Sequence, residues 1–506
     1  MRVGAVDIGS NALRAVVIEG KAGKPRYEVV QDRREPVRLG GEVFGGTGFV
    51  KPETCAAAAE AMRSFARDFR RLGAERVRVV ATSAVREARN RRVLLALLTR
   101  ESGLAVDVIS GAEEARLVSL AVRTRIPSMA KGRHCVMDVG GGSAEVILVG
   151  DGEVKRAESF DLGAVRVIEA VGEPHGQRFL RVAGELVDSF RGRLRDVLGK
   201  GPVETFAATG GNMETIAGLL GEEARGLPGV DAVRRADLRA LVTEMAALTP
   251  SQRMRRWALK ADRADVILPA SLLYLAFAEE AGAKRIHVPH VGLRESVALD
   301  LLLSSHRRDA RERLEKERVA SALAVGRKFR FQEDHARRSA KLSLRIFDRV
   351  ARREGLGPAD RDLLEIAALL HDIGIVISPI GHHKHSAYLI RESEIAGVTP
   401  RDQELIAQIA RYHRRGPPRD SHPEYAALPA EDRRRVALLA GILRVGDALD
   451  RDRTRPLGDI AAAVRGERCV IRLRGPGDRL LEIWAADRKK DLFEREFGLE
   501  LVVRRG

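Results

Sequence analysis

Only three cysteines, Cys55, Cys135 and Cys469, occur in the 506 residues. They are far apart and odd in number, which excludes a disulfide framework and a cysteine zinc site and predicts buried, reduced thiols. Aromatic residues make up 4% of the chain, too few to offer stacking platforms for bases, so no specific nucleic-acid partner is expected. There is no run of about 18 apolar residues of the kind that crosses a membrane. Met1-Arg-Val-Gly-Ala5 opens directly on a core strand instead of a leader peptide. These absences predict a cytoplasmic protein with no membrane partner. At 44% hydrophobic and 31% charged residues the chain is globular, and its length suits about three or four domains.

Acidic residues are also in deficit. Lys and Arg number 88 against 71 Asp and Glu, a net charge of +17, which favours polyanionic partners. The excess is spread along the chain. Its densest stretch, His306 to Arg318, holds six basic and four acidic residues and reads as a solvated helix face or linker. A phosphate chain without bases fits this balance better than a nucleic acid.

What the chain does contain is a repeated turn. Asp7-Ile-Gly-Ser-Asn11 lies between Arg2-Val-Gly-Ala-Val6 and Leu13-Arg-Ala-Val-Val-Ile18, and Asp138-Val-Gly-Gly-Gly-Ser143 lies between His134-Cys-Val-Met137 and Glu145-Val-Ile-Leu-Val149. Each reads as strand, tight turn, strand. Gly9 and Gly140, Gly141 and Gly142 let backbone N–H groups approach an anion, and Ser10, Asn11 and Ser143 add polar side chains. Asp7 and Asp138 beside a phosphate require a hard cation between them, Mg²⁺ or Mn²⁺. Glu145, two residues past the second serine, is placed to reach that metal or a water. No Walker lysine follows either loop, so the nucleotide-triphosphatase P-loop is excluded.

Strands and helices alternate through residues 1–125, with a helix from Pro52, a strand Arg76–Val80, a helix Asn90–Ser102 and a strand Ala105–Ile109. Residues 126–304 repeat the scheme from the second loop, with the strand Thr205–Ala208, a helix Leu268–Ala281 and the strand Arg285–Val288. Two such halves imply a cleft between them. Residues 305–452 have helical periodicity: Glu333–Val350, Pro358–Ile373, Lys384–Glu394, Arg401–His413 and Glu431–Asp450. Residues 453–506 read as a small β-rich domain, with strands Arg468–Leu473 and Arg479–Trp484 split by a turn at Gly475-Pro-Gly-Asp478.

Asp7-Ile-Gly-Ser-Asn11, Ala81-Thr-Ser-Ala-Val-Arg-Glu87, Ser110-Gly-Ala-Glu-Glu-Ala-Arg-Leu117, Asp138-Val-Gly-Gly-Gly-Ser-Ala-Glu145, Thr209-Gly-Gly-Asn212 and Gly292-Leu-Arg-Glu-Ser296 stand in order along the chain. In order and spacing they resemble the exopolyphosphatase and guanosine pentaphosphate phosphatase family. The resemblance implies an α/β fold of duplicated actin-like ATPase-type domains, followed by an all-α HD-like domain and a small C-terminal α+β domain. It further implies Mg²⁺-assisted hydrolysis of the terminal phosphate of inorganic polyphosphate or of guanosine pentaphosphate, and a homodimer. By the same resemblance Glu114 is the general base that readies water, Arg86 contacts the transferring phosphate, and Gly210 and Gly211 occupy a phosphate- or nucleotide-binding turn. Glu113 is expected to be a solvated helix-start carboxylate.

His335, His371-Asp372 and Asp447 follow the order of the metal-dependent HD phosphohydrolases, with His383, His385 and His413 as auxiliary groups. Imidazole and carboxylate together suit one or two divalent ions. The first expectation is an exopolyphosphatase that uses direct attack by water, since no Ser-His-Asp or Cys-His arrangement is evident. The alternatives are guanosine pentaphosphate hydrolysis by the same groups, phosphotransfer from ATP to an acceptor, and a non-catalytic sensor of polyphosphate or nucleotide.

Overall fold

A computed structural model describes residues 1–304, 307–452, 457–475 and 477–506, with backbone alone for 307–313. The start of the predicted His306–Arg318 linker, the boundaries set after residues 304 and 452, and Pro476 of the predicted terminal turn lie at or beyond the edges of the described residues. The chain forms two compact units, Met1–Arg313 and Leu314–Gly506.

The first unit holds two sheets of related design. Strands β1 (Arg2–Ile8), β2 (Leu13–Gly20), β3 (Tyr27–Glu35), β4 (Arg76–Ala81) and β5 (Val106–Val108) lie in the order β3-β2-β1-β4-β5. Strands β6 (Arg133–Val139), β7 (Ala144–Gly150), β8 (Glu153–Phe160), β9 (Thr205–Thr209), β10 (Glu222–Glu223), β11 (Asp231–Arg234) and β12 (Arg285–Val288) lie in the order β10-β11-β12-β9-β6-β7-β8. In each, an antiparallel meander is extended by a parallel strand, β4 beside β1 and β9 beside β6. This is the duplicated α/β architecture the resemblance implies.

Strand alternation gives the two sheets a shared apolar core, with the helices Gly111–Arg125 and Leu293–Leu303 packed against them and against each other. Val3 and Ala5 of β1 enter one apolar cluster while Val6 and Ile8 enter another, so β1 is buried on both faces. Val136 of β6 joins Val3 and Ala5 in the first cluster, together with Leu117, Val118 and Ala121 of the helix Gly111–Arg125 and Val297 and Leu301 of the helix Leu293–Leu303. A core shared by both sheets fixes the ends of β1 and β6, where the two glycine turns begin.

The second unit combines the helices Glu333–Val350, Pro358–Leu370, His382–Arg391, Pro400–Arg411 and Ala430–Ala448 with a sheet of β13 (Asp459–Arg465), β14 (Arg468–Arg474) and β15 (Glu500–Arg505). One apolar core runs through helix residues such as Leu364 and Leu439 and tail residues such as Ile471 and Phe493. The strand predicted at Arg479–Trp484 is instead a helix, Leu480–Asp487. It buries Glu482, Ala485 and Ala486 at helical spacing and leaves Leu480, Leu481 and Trp484 exposed, with Glu482 accepting from Arg479 Nη1 at 3.2 Å.

Candidate functional site

The two glycine turns are built alike. In the first, Gly9 N donates to Ala12 O at 3.2 Å; in the second, Gly140 N donates to Ser143 O at 2.9 Å. Across the hairpins Asp7 pairs with Arg14 and Asp138 with Glu145. The turns also meet. A Cβ added at Gly141 would lie 2.8 Å from Ser10 Cβ and 3.6 Å from the Asn11 nitrogen, so only glycine lets the second turn approach the first this closely. Ser10 Oγ lies 3.1 Å from Ser83 Oγ, which ties the first turn to the helix Ser83–Glu87. The helix Ala164–Val171 starts on the second turn, with Ala164 N and Val165 N donating to Gly140 O and Gly141 O at 3.0 and 2.8 Å.

A cleft with a volume of about 90 Å³ lies over this junction. Its lining includes Asp7, Gly9, Ser10, Asn11, Glu114, Asp138, Gly140, Gly141, Ser143, Gly210 and Gly211. Among the described lining residues none is aromatic.

Glu114 enters from the first turn of the helix Gly111–Arg125. Ser110 caps that helix by accepting from Glu113 N at 3.2 Å, the arrangement that satisfies an otherwise orphaned helix-start donor. Ligand oxygens of Glu114, Asp138 and Glu145 lie within 4.8 Å of one another, and all three residues are buried. Glu114 Oε2, Glu145 Oε2 and Asp7 Oδ1 are buried with no hydrogen-bond partner. Three carboxylates gathered out of water, two of them with an unsatisfied oxygen, are costly unless protonated or neutralised by a cation. Burial, followed by the charges of Glu145 and Asp138, pushes Glu114 well above the usual carboxylate range. Burial and Asp138 raise Glu145 to about 8 despite the bond from Ser159 Oγ at 2.8 Å. Burial raises Asp7 to about 6 and also raises Asp138, whose Oδ1 accepts from Thr209 Oγ1 at 2.7 Å.

The remaining expected residues take distinct places. Gly142 is packed beside Ser83, whose Oγ would lie 2.6 Å from an added Cβ. Arg86 donates to Ile109 O at 2.8 Å, and its charge counteracts the upward shifts of Glu114 and Glu145. Gly210 has φ of +103°, a left-handed conformation that favours glycine, and an added Cβ would be 2.8 Å from Val139 O. Asp7 is not in the carboxylate group formed by Glu114, Asp138 and Glu145. Glu113 is not the solvated carboxylate expected: it is buried, and Arg116 donates to both its oxygens at 2.7 and 2.9 Å.

Sequence reasoning missed two cations. Arg14 and Arg263 line the cleft, and Arg263 Nη1 donates to Asn212 Oδ1 at 2.6 Å. Burial, then the charges of Arg14 and Arg34, lowers Arg263 to about 10. Arg14 was legible in principle, because it follows Asp7 by the interval that separates Glu145 from Asp138.

In the second unit His335, His371, Asp372, His413 and Asp447 gather as their order suggested. His383 and His385 do not join them; His382 does. The helix begins at His382, two residues before the predicted start, and successive side chains rotate by about 100°. His382 therefore faces the cluster and its neighbours turn away.

The Ppx/GppA phosphatase family profile matches residues 16–305, and the profile of domain III of that family matches residues 318–467. The chain belongs to the Ppx/GppA phosphatase family. Among family relatives, a guanosine-5'-triphosphate,3'-diphosphate pyrophosphatase of Photobacterium profundum is 26% identical over 451 residues, covering 86% of this chain and 84% of that protein. Exopolyphosphatase 2 of Mycobacterium tuberculosis is 33% identical over 323 residues, covering 59% of this chain and 98% of that one. A crystal structure of the Aquifex aeolicus family member superposes with a TM-score of 0.51 at 27% identity, covering 60% of this chain and 99% of that one.

Proposed function

We propose that the first unit is an exopolyphosphatase site that releases orthophosphate from the end of inorganic polyphosphate. The observation that carries the reading is the meeting of two Gly-Ser turns over a buried trio of carboxylates. Backbone N–H groups of Ser10 and Asn11 and of Gly141 to Ser143 hold the terminal phosphate from two sides, those of Gly9 and Gly140 being used to close the turns. Arg86 balances charge on the transferring group. Glu114, kept poised by burial and like charges, orients and deprotonates the attacking water.

The unsatisfied oxygens of Glu145 and Asp7 and the acceptor set of Asp138 fit a hard divalent cation, Mg²⁺ or Mn²⁺. When bound, such an ion supplies charge neutralisation for the phosphate oxygens. Gly210, Gly211, Arg14 and Arg263 form the wall against which the next phosphates of the chain would lie. The absence of an aromatic side chain from the described lining favours a substrate without a base.

Guanosine pentaphosphate hydrolysis is the second reading, favoured by the Photobacterium relative, which spans most of the chain. The four-domain division, the cytoplasmic location and the homodimer belong to the same proposal. Orthophosphate release measured across polyphosphate lengths and guanosine pentaphosphate decides the substrate. Higher kcat/KM on long polyphosphate supports the first reading, and higher kcat/KM on the pentaphosphate overturns it.

A further inference from the structure

The histidine cluster of the second unit is organised more tightly than a chance gathering of polar side chains. His335 lies on the helix Glu333–Val350, His371 at the end of Pro358–Leu370, His382 at the start of His382–Arg391, His413 just after Pro400–Arg411 and Asp447 on Ala430–Ala448. Each imidazole is held from behind at Nδ1. His335 Nδ1 meets Asp450 Oδ2 at 2.7 Å, His371 Nδ1 meets Ala368 O at 2.7 Å, and His413 Nδ1 meets Ala410 O at 2.6 Å. His382 Nδ1 lies 3.0 Å from Pro379 O, with Arg414 Nη1 at 3.3 Å. A ring that donates from Nδ1 presents an Nε2 lone pair, and this outer-shell anchoring is how metal-ligating histidines are oriented.

The Nε2 atoms converge. His335 Nε2 and His371 Nε2 lie 3.4 and 3.6 Å from Asp447 Oδ1, and both are buried without a hydrogen-bond partner. His382 Nε2 and His413 Nε2 lie 3.1 and 3.6 Å from Asp372 Oδ1 and 3.3 Å from each other. The other oxygen, Asp372 Oδ2, is 3.7 Å from His335 Nε2. Bonds of about 2.1 Å to a cation set ligand–ligand edges of about 3.0 Å in an octahedron and about 3.4 Å in a tetrahedron. The separations, 3.1–3.7 Å, lie close to such edges.

We propose that this cluster is a two-cation centre for first-row divalent transition metals. His335, His371 and Asp447 hold one ion, His382 and His413 hold the other, and Asp372 bridges them with one oxygen to each. Mixed imidazole and carboxylate donors select Mn²⁺, Fe²⁺, Co²⁺ or Zn²⁺ over the all-oxygen preference of Mg²⁺ and Ca²⁺. Asp447 uses its second oxygen to accept from Lys489, which orients its first oxygen toward the histidines.

The test is metal content of the full chain after equilibration with each of those ions under anaerobic conditions and dialysis. About two equivalents are expected in the second unit, beyond any ion the carboxylates of the first unit hold. His382→Ala should lose about one equivalent, His335→Ala should lose about one, and His385→Ala should lose none. Glu145→Gln, which removes a carboxylate of the first unit, should lose at most the ion of that unit and keep the two of the second, so the result is independent of the polyphosphatase reading. Circular dichroism reports whether each variant is folded. Should His382→Ala not fold, a Co²⁺ titration of the parent protein followed by its visible spectrum reads imidazole ligation directly. A parent protein that retains no metal, or a folded His382→Ala that retains as much as the parent, overturns the proposal.

Discussion

Replacing Glu114 by glutamine separates catalysis from binding because the substitution keeps volume while removing the base and one negative charge. Glu114 is only 6% exposed, so the amide remains enclosed by the same neighbours. A positioned general base contributes about 10²- to 10⁴-fold to rate, equivalent to about 3–5 kcal/mol of barrier. The electrostatic consequence runs the other way. A second carboxylate within 4.8 Å at an effective dielectric of about 20 opposes ionisation by about 3 kcal/mol, or about two pH units. Removing that opposition eases ionisation of Glu145 and Asp138 and reduces repulsion of a polyanion. The expected outcome is a kcat lower by at least about 100-fold, a KM unchanged or lowered, and a pH–rate profile whose acidic limb moves to lower pH. Orthophosphate release from polyphosphate with Mg²⁺ across a pH series, paired with equilibrium binding of labelled polyphosphate, measures all three. A kcat within a few fold of the parent enzyme, or loss of binding, would refute the role given to Glu114.

Asp7, Glu114 and Glu145 all have raised values in the folded chain, so the cation-free fold takes up protons and their stabilising contribution is complete below the unfolded carboxylate range of about 4. It is lost as pH rises through about 6 for Asp7 and about 8 for Glu145. With chelator present, the Tm of the parent relative to Glu145→Gln should therefore fall between pH 5 and 8, and the gain in Tm on adding Mg²⁺ should grow with pH; a flat difference contradicts this. Gly141→Val would force side-chain atoms against Ser10 Cβ, 2.8 Å from the position of the added Cβ, and separate the turns; KM for polyphosphate should rise at least about tenfold, and an unchanged KM contradicts the contact. Arg253 is fully buried and donates to Met245 O at 2.9 Å, Ala264 O at 3.0 Å and Pro174 O. Arg253→Ala should cost at least about 3 kcal/mol in urea unfolding because three carbonyls lose a charged donor, and a loss below 1 kcal/mol would refute that reading.

Much of the first unit was legible because its signals are local. A Gly-Ser turn between apolar runs needs no distant partner to be recognised, and the observed strands Thr205–Thr209 and Arg285–Val288 lie within a residue of their predicted ends. Strands β3 and β8 were not foreseen, since as outer strands of the meanders they are only partly buried and carry mixed polar patterns such as Tyr27-Glu-Val-Val-Gln-Asp32. The terminal Leu480–Asp487 helix misled for the opposite reason: its exposed Leu480, Leu481 and Trp484 read as a strand core. Glu113 and Glu114 are adjacent in sequence; helical spacing pairs the first with Arg116 three residues on, whereas only the tertiary fold brings the second to Asp138 and Glu145. Arg263 and His382 required coordinates because their partners, Asn212 and His413, are far away in the chain.

The most direct measurement of the central claim is hydrolysis of polyphosphate in water enriched in heavy oxygen, with products resolved by mass spectrometry. Attack on the terminal phosphorus held between the turns predicts one heavy oxygen in each released orthophosphate and none in the shortened chain. Heavy oxygen in the shortened chain, or pyrophosphate as the first product, would contradict the account.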